Sequence, residues 1–410
     1  MKKLLVVLLS LILAITLSGL MACGGGAEEE DSIFLFEEVY ENNSSSVAGY
    51  RVIGVDATAL TGVTVINVPE KYKGKPVIEI ASGAFSGQTN PAIEEIVEIN
   101  VPKSVTKIQN GAFTGCLNLQ KIVLPFVGES AEGTGATYFG HVFGAKSYMQ
   151  NSSVVQQRLR TVEITGGENI DDNAFYYCTN LTSIVLHDGV KTVGEKAFHY
   201  CSGLTELTIP AGVTEIGAGA LYNCKNLASL SVPFLGGNPN DTKNGFLGYV
   251  FGAGMYSQNS NYVPVLLKSV NVFGGKIGEG AFYYCSSLMN ITLPKGLTEI
   301  GPSAFRKCTI LNSIQIPDTV TAIGASAFRE CYAITQITLP KALTAVGNYA
   351  FTDCAKLEAI VFNDPSNWYK TLSQSDFDNK TGGEALDVSN SSQMALALKK
   401  NDGKYYLYKK

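Results

Sequence analysis

Residues 198–217 read FHYCSGLTELTIPAGVTEIG, and a close copy of this stretch begins again 23 residues later. The residue that starts each copy, here termed the anchor, is found at Phe113, Phe175, Phe198, Leu221, Phe282, Phe305, Phe328 and Phe351. Self-similarity at a period of about 20–50 residues is typical of a solenoid, in which successive repeats stack on one another. Because a solenoid generates surface and has no built-in reaction centre, the pattern favours binding or structural roles.

One copy predicts one coil of the solenoid. Leu207 and Ile209 flank Thr208 in an apolar–polar alternation, which predicts a short strand with the two apolar side chains inward. Residues 213–216 predict a second, shorter extended segment. Residues 220–224 place apolar side chains three or four positions apart, which predicts a helical or 3₁₀ turn before the next coil.

Counting the predicted strands gives about twelve coils. The fold class that follows is an α/β repeat solenoid, a right-handed stack of 23-residue coils with short parallel strands, two enlarged coils and capped ends. The strands are expected to end near Val68, Val101, Leu124, Ile164, Leu186, Ile209, Val232, Val272, Leu293, Ile316, Leu339 and Phe362. The expected organisation is a signal peptide at 1–22, a tether at 23–32, an N-terminal cap at 33–62, the solenoid at 63–362 and a C-terminal cap at 363–410.

The first 23 residues predict export and anchoring. Lys2 and Lys3 precede an apolar run too short to favour a membrane span, and the segment ends in Leu20-Met-Ala22-Cys23. This end resembles a bacterial lipobox, with Met21 departing from its usual residue, and the resemblance implies that Cys23 carries the lipid. Several acyl chains on one cysteine provide stable membrane attachment. We therefore expect an exported lipoprotein at the cell surface, bound to a membrane through its lipid.

The charge of the chain excludes one class of partner. The formal net charge is −5, and removal of Lys2 and Lys3 with the leader would make it −7. Proteins that bind nucleic acid carry basic patches or stripes. We therefore expect no nucleic-acid partner.

The cysteines of the repeat all occupy the same position, three residues after each anchor: Cys116, Cys178, Cys201, Cys224, Cys285, Cys308, Cys331 and Cys354. Equivalent residues of neighbouring coils are about 4.7–5 Å apart, which leaves stacked disulfides possible on distance, and metal binding is a third alternative. Their side chains should nevertheless point inward in parallel, beside the anchors and leucines. That arrangement favours a ladder of buried, reduced thiols.

The repeat carries a family resemblance. The recurring pattern G-x-x-A-F-x-x-C-x-x-L-x-x-I-x-L/I-P-x-x-V-T-x-I, seen for example from Gly301 to Pro317, is similar to the BspA-like leucine-rich repeat proteins of bacterial surfaces. The resemblance covers roughly residues 63–362. It implies a leucine-rich repeat fold and, only in general terms, adhesion to matrix proteins or coaggregation with other cells.

Two intervals between strands break the 23-residue period and resemble each other. Residues 124–164 and 232–272 each contain about 17 extra residues, and PFVG at 125–128 matches PFLG at 233–236. Insertions in repeat proteins often form the binding face. The candidate binding residues are the aromatic residues and the histidine of these coils, with simple packing of the larger coil as the alternative: Tyr138, His141, Tyr148, Tyr249, Tyr256 and Tyr262.

The search for chemistry gives no site. The three histidines are isolated, and no nucleophile motif, phosphate loop or metal-ligand spacing is present. We therefore expect no catalytic residues, no metal, no cofactor and no enzymatic activity. The favoured function is adhesion to an extracellular or host protein or glycan through the enlarged coils or the strand face. The alternative is a structural envelope protein without a soluble ligand.

Overall fold

The computed structural model describes residues 33–42 and 44–410, so the predicted signal peptide, the tether and the lipobox Cys23 lie outside the described residues. Each predicted Leu-x-x-Ile-x-Leu segment, with one exception, forms a short strand that pairs in parallel with at least one neighbouring strand. These principal strands are Val65–Asn67, Glu98–Asn100, Lys121–Leu124, Thr161–Ile164, Ser183–Leu186, Glu206–Thr208, Ser229–Val232, Ser269–Val272, Asn290–Thr292, Gln336–Leu339 and Ala359–Phe362. The repeat solenoid of short parallel strands is thus confirmed.

The predicted second extended segment of each coil is also present. These secondary strands are two residues long and stack in parallel on another side of the coil: Lys107–Ile108, Asn169–Ile170, Thr192–Val193, Glu215–Ile216, Glu299–Ile300, Ala322–Ile323 and Ala345–Val346. Close approach of the coils here depends on glycine. A Cβ on Gly217 would lie 2.2 Å from the backbone nitrogen of Glu195 in the preceding coil.

The core is a column of stacked anchors. Phe282, Phe305, Phe328 and Phe351 are buried, with ring centroids 5.0–5.6 Å apart and ring planes within 12° of parallel. Offset-stacked rings contribute stability beyond their buried area. Each coil therefore has little stability alone and acquires its core from the coil beside it.

The eight cysteines of the repeat are free and buried, as predicted. The structure adds a role that the sequence pattern does not reveal. In most coils the thiol donates a hydrogen bond to the carbonyl of the preceding anchor, for example Cys331 Sγ to Phe305 O at 3.0 Å and Cys354 Sγ to Phe328 O at 3.0 Å. Burial raises the pKa of the Cys354 thiol to about 12, which keeps it protonated as a donor.

The segment after each secondary strand is a series of tight turns, whereas we expected a helical or 3₁₀ turn. Residues two positions before and after an anchor have positive φ, such as Ser326 at 57° and Glu330 at 62° around Phe328. The left-handed backbone at these positions interrupts any continuous helix. Backbone N–H groups therefore bond three residues back, as Cys331 N does to Phe328 O.

The enlarged coils contain helical segments that the ordinary coils lack. Each has a 3₁₀ helix, Phe139–Phe143 or Leu247–Phe251, followed by a second short 3₁₀ helix and a single α-helical turn: Tyr148–Gln150 with Asn151–Val154, and Tyr256–Gln258 with Asn259–Tyr262. Phe143 and Phe251 are buried. The residue before each of them accepts a backbone hydrogen bond from the N–H of an anchor, as the alanine before an anchor does in ordinary coils. These two residues thus occupy the anchor position, as the sequence predicted.

One predicted strand, the one ending at Ile316, does not form, and residues 312–316 pair with neither flanking principal strand. Ser313 Oγ donates to Asn312 Oδ1 at 3.2 Å. Serine alone does not account for the missing strand, since Ser183, Ser229 and Ser269 hold the same position in strands that form. The principal sheet is interrupted at this coil and also between Ser183–Leu186 and Glu206–Thr208, whereas the secondary strands continue past both places.

Each end of the solenoid is covered by a segment outside the repeat. At the N-terminal end, Phe34–Tyr40 pairs antiparallel with Val47–Val55, and Val47–Val55 also pairs in parallel with Lys75–Ile80. At the C-terminal end, Tyr406–Lys409 pairs antiparallel with the last secondary strand, and helix Ser391–Leu398 packs on the last principal strand. The remaining elements of the two ends and of the first coils are Thr58–Leu60, Lys71–Tyr72, Pro91–Glu95, Trp368–Thr371, Gln374–Asn379, Glu384–Ala385 and Asn401–Lys404. We propose that residues 33–62 and 363–410 act as caps.

Two substitutions two residues apart should change stability in opposite directions. Ser326→Gly should raise the free energy of unfolding by about 1 kcal/mol, since glycine adopts the left-handed backbone without penalty. Gly324→Ala should lower it by about 1–3 kcal/mol, since its Cβ would lie 2.4 Å from Pro302 N. Urea denaturation followed by circular dichroism measures both. Equal shifts, or the reverse order, would contradict the assigned backbone.

Candidate functional site

The two enlarged coils form the walls of a groove on one side of the solenoid. Between them lie three ordinary coils, whose secondary strands Asn169–Ile170, Thr192–Val193 and Glu215–Ile216 form the floor. Thr137 of the first enlarged coil and Tyr249 of the second line its two sides. At about 4.8 Å per strand, the backbones of the two walls are about 19 Å apart. We term this feature the inter-wall groove.

The first part of the groove, over the secondary strands, is an acidic compartment of about 660 Å³. Its carboxylates are Asp171, Asp172, Glu195 and Glu215. Burial and the nearby charge of Asp172 raise the pKa of Asp171. Burial first, and then the charges of Asp241, Glu195 and Glu215, raise the pKa of Tyr249 on the wall. In both groups burial is the larger cause, and the neighbouring carboxylates add to it.

The second part, over the turns that follow the floor strands, is an aromatic compartment of about 550 Å³. It adjoins the acidic compartment, with which it shares Glu195 and Ala218. Two columns of rings line it. Tyr176, His199 and Tyr222 stack with centroids 4.8 Å apart, and Tyr177 stacks on Tyr200 at 4.3 Å.

The repeat itself creates these columns. Aromatic residues stand at the two positions after the anchor in consecutive coils, so coil stacking brings their rings face to face. Tyr177 and Tyr200 both have a left-handed (αL) backbone, with φ of 57°. This backbone conformation positions the rings of the second column. The enlarged coils close the row at each end, where Tyr148 packs edge-on against Tyr176 and Tyr262 packs tilted against Tyr222.

The predicted binding residues divide between the groove and other places. Tyr249 and Tyr262 line the groove, and Tyr148 abuts its aromatic column. Tyr138 follows the wall residue Thr137, and its hydroxyl donates to Ala145 O at 3.3 Å. Tyr256 lies on the far side of the second wall, where it bonds Glu279 and contacts Tyr283.

His141 is buried inside the first enlarged coil and is not part of the groove surface. Its exposed fraction is 5%, its Nε2 is 3.2 Å from Ile108 O, and its Nδ1 is 3.3 Å from Asn110 Nδ2. This pattern suits a neutral imidazole with Nε2–H as donor and Nδ1 as acceptor. Burial lowers the pKa of His141.

Sequence reasoning missed the aromatic columns. His199 counted there only as one of three isolated histidines, and Tyr176, Tyr177, Tyr200 and Tyr222 were not among the candidates. The available signal was the run of aromatic residues after the anchors of three consecutive coils, between the two coils that break the period. The most aromatic surface of the groove lies on the regular coils between the two enlarged coils.

Within residues 33–42 and 44–410, no group of three or more histidine, cysteine or acidic side chains is placed to hold a metal ion. Over the same part of the chain, none of the helices combines the length and the apolar character that a membrane crossing requires. What the groove offers chemically is a set of carboxylates, phenol hydroxyls and aromatic rings.

The family model described as "BspA type Leucine rich repeat region" matches residues 56–139, 158–236 and 275–393 in six copies. These segments make up more than half of the chain. The chain belongs to the BspA-type leucine-rich repeat family. The unmatched residues 140–157 and 237–274 include much of the two enlarged coils. No curated protein matches the chain.

Several solved structures are similar to this chain. A leucine-rich repeat protein from Bacteroides ovatus is 23% identical, covering 80% of this chain and 94% of that one, with a TM-score of 0.30. A leucine-rich cell surface protein from Faecalibacterium prausnitzii is 21% identical, with coverages of 90% and 100% and a TM-score of 0.28. The pneumococcal vaccine antigen PcpA is 18% identical, with coverages of 81% and 82% and a TM-score of 0.31. At such TM-scores these likenesses carry no argument about this chain.

The buried neutral His141 should make stability depend on pH. Because its folded pKa lies below the unfolded value of about 6.5, the unfolded state binds the proton first, and stability should fall as pH decreases below about 6.5. The loss should approach about 1.4 kcal/mol per pH unit at most from this group. Urea denaturation at pH 8, 7, 6 and 5 should show a weaker pH dependence for His141→Gln than for the natural protein. Identical pH dependence would contradict the assignment.

Proposed function

We propose that the protein is a non-catalytic binding protein of the bacterial cell surface, and that it contacts an extracellular protein or glycan through the inter-wall groove. The observation that carries the proposal is the pairing of a walled groove with clustered aromatic side chains on a leucine-rich repeat scaffold. Tyrosines provide large contact area at low entropic penalty, and concave sites with a few polar groups are typical of ligand binding.

The location at the surface is supported by the N-terminal sequence. We propose that residues 1–22 direct export and are removed, that Cys23 is then lipidated, and that residues 23–32 tether the solenoid to a membrane. The solenoid would then project from the envelope with its groove open to the surroundings.

The groove is a better candidate than the principal strand face. Outward positions on that face, such as Thr208, Ser231 and Thr338, carry small polar side chains. Such residues favour a sheet. They form neither an aromatic nor a charged patch, whereas the groove has both within two adjoining compartments.

Two tyrosine substitutions at the same position of the repeat can test the proposal. Tyr200→Asn alters the groove, and Tyr284→Asn is its matched control outside it, with φ of 57° and 59° respectively. Asparagine is compatible with both, since Asn223 occupies this position in the next coil with φ of 60°. Both variants should therefore fold.

Cells displaying the full-length protein should bind members of an array of matrix proteins and glycans. We expect Tyr200→Asn to weaken that binding at least threefold and Tyr284→Asn to leave it unchanged. Loss of binding in neither variant would contradict a role for the groove. Failure of the natural protein to bind any array member above cells that lack it would favour a structural envelope role.

A further inference from the structure

The charges of the groove are unevenly balanced. Across the two compartments, the acidic side chains are Asp171, Asp172, Glu195 and Glu215, and the basic residue lining them is Lys196. That lysine already bonds Glu195, with Nζ 2.6 Å from Oε1. Among the described residues, no basic side chain forms an ion pair with Asp171, Asp172 or Glu215. A ligand that fills the acidic compartment must therefore offset a negative charge.

Outside the groove, tyrosines at the same positions of the repeat make contacts with cationic side chains. Beyond the second wall, Tyr284 occupies the position in the repeat that Tyr200 occupies in the groove. The ammonium of Lys307, from the next coil, lies 4.6 Å from the centre of the Tyr284 ring. Beside it, the guanidinium of Arg306 lies 5.8 Å from the centre of Tyr283. These are cation–π distances.

In the groove the corresponding cations are missing from the chain. The residue that follows Tyr200 in the next coil, at the position of Lys307, is Asn223. Among the described residues, no lysine or arginine lies over the ring of Tyr177, Tyr200 or Tyr222. The groove thus presents aromatic rings and carboxylates in the same compartments, and a ligand could supply the positive groups that Arg306 and Lys307 supply elsewhere.

The dimensions of the groove suit a polypeptide. The three floor strands between the walls span about 14 Å, which accommodates about four residues of an extended chain at about 3.3 Å per residue. Side chains of lysine and arginine are long enough to reach carboxylates and rings from one backbone, with the apolar stems lying on aromatic surface. A neutral oligosaccharide would leave the carboxylates without a charged partner, and a nucleic acid would be repelled by them.

Building on the function proposed above, we propose that the inter-wall groove binds an extended, lysine- and arginine-rich segment of a partner protein. The carboxylates of the acidic compartment pair with its cationic groups, and the ring of Tyr200 receives one of them. The floor between the walls accommodates about four residues of the segment. The shared Glu195 links the two halves of the site.

The test uses the full-length protein in detergent micelles and fluorescence anisotropy with three labelled probes. These are a twelve-residue peptide of alternating basic and small residues, the same peptide with glutamate in place of lysine and arginine, and chitohexaose. The basic peptide should bind, and its affinity should fall as salt increases, because exposed charge pairs are screened. The glutamate peptide and the oligosaccharide should not bind.

Matched variants locate the binding. Glu215→Gln combined with Asp171→Asn should weaken binding of the basic peptide about tenfold, and Glu215→Lys should weaken it further. The control is Glu299→Gln, since Glu299 stands at the same position of a secondary strand beyond the second wall. Tyr200→Asn should weaken binding about threefold, with Tyr284→Asn as its control.

Equal losses in the groove variants and their controls would overturn the inference, because they would indicate a general attraction of cations to an acidic protein. Preferential binding of chitohexaose would also overturn it. If cells bind an array member in a manner that depends on Tyr200, but the basic peptide does not bind, the inference fails and the proposed function stands.

Discussion

The structure depends on one contact repeated along its axis, the packing of each anchor and its cysteine on the coil before. Stacked rings such as Phe305 on Phe328, 5.0 Å apart, set the spacing between coils, and thiols such as that of Cys331 bond the carbonyl of the preceding anchor. Both groups are buried, so the contact combines apolar burial with a satisfied carbonyl. Because most coils repeat it, the position of any other residue in the 23-residue unit is fixed relative to its equivalents in neighbouring coils.

This regularity explains how a surface can acquire a site without any special local motif. When the residues after three consecutive anchors are aromatic, stacking of the coils places Tyr176, His199 and Tyr222 in one column. When glycine follows the secondary strand, as at Gly217, adjacent coils approach closely and the floor between the walls stays narrow. The walls arise where the period lengthens. The groove is thus a product of regular stacking interrupted at two places that are separated by three ordinary coils.

Much of the fold could be predicted because the 23-residue period gives the positions of the repeated elements. Strand positions, buried thiols and the anchor role of Phe143 and Phe251 all follow from the spacing of apolar residues. The strand expected before Pro317 does not form, although Ile314 and Ile316 keep the apolar alternation of the other coils, so the apolar pattern alone does not determine strand pairing. The groove was harder to predict. Burial of His141 and exposure of Tyr200 depend on which way each turn faces, and the left-handed residues that set this direction include lysine, serine and tyrosine as well as glycine.

The most direct measurement of the stacked core is alkylation of the cysteines in the full-length protein, with mass spectrometry of each cysteine peptide before and after unfolding in urea. Buried thiols with raised pKa, such as Cys116 and Cys354, should resist the reagent in the native state. Without any reductant, all eight cysteines from Cys116 to Cys354 should then react together when the coils separate. Rapid labelling of interior coils in the native protein, or thiols that become reactive only after reduction, would contradict a core of stacked rings and hydrogen-bonded thiols.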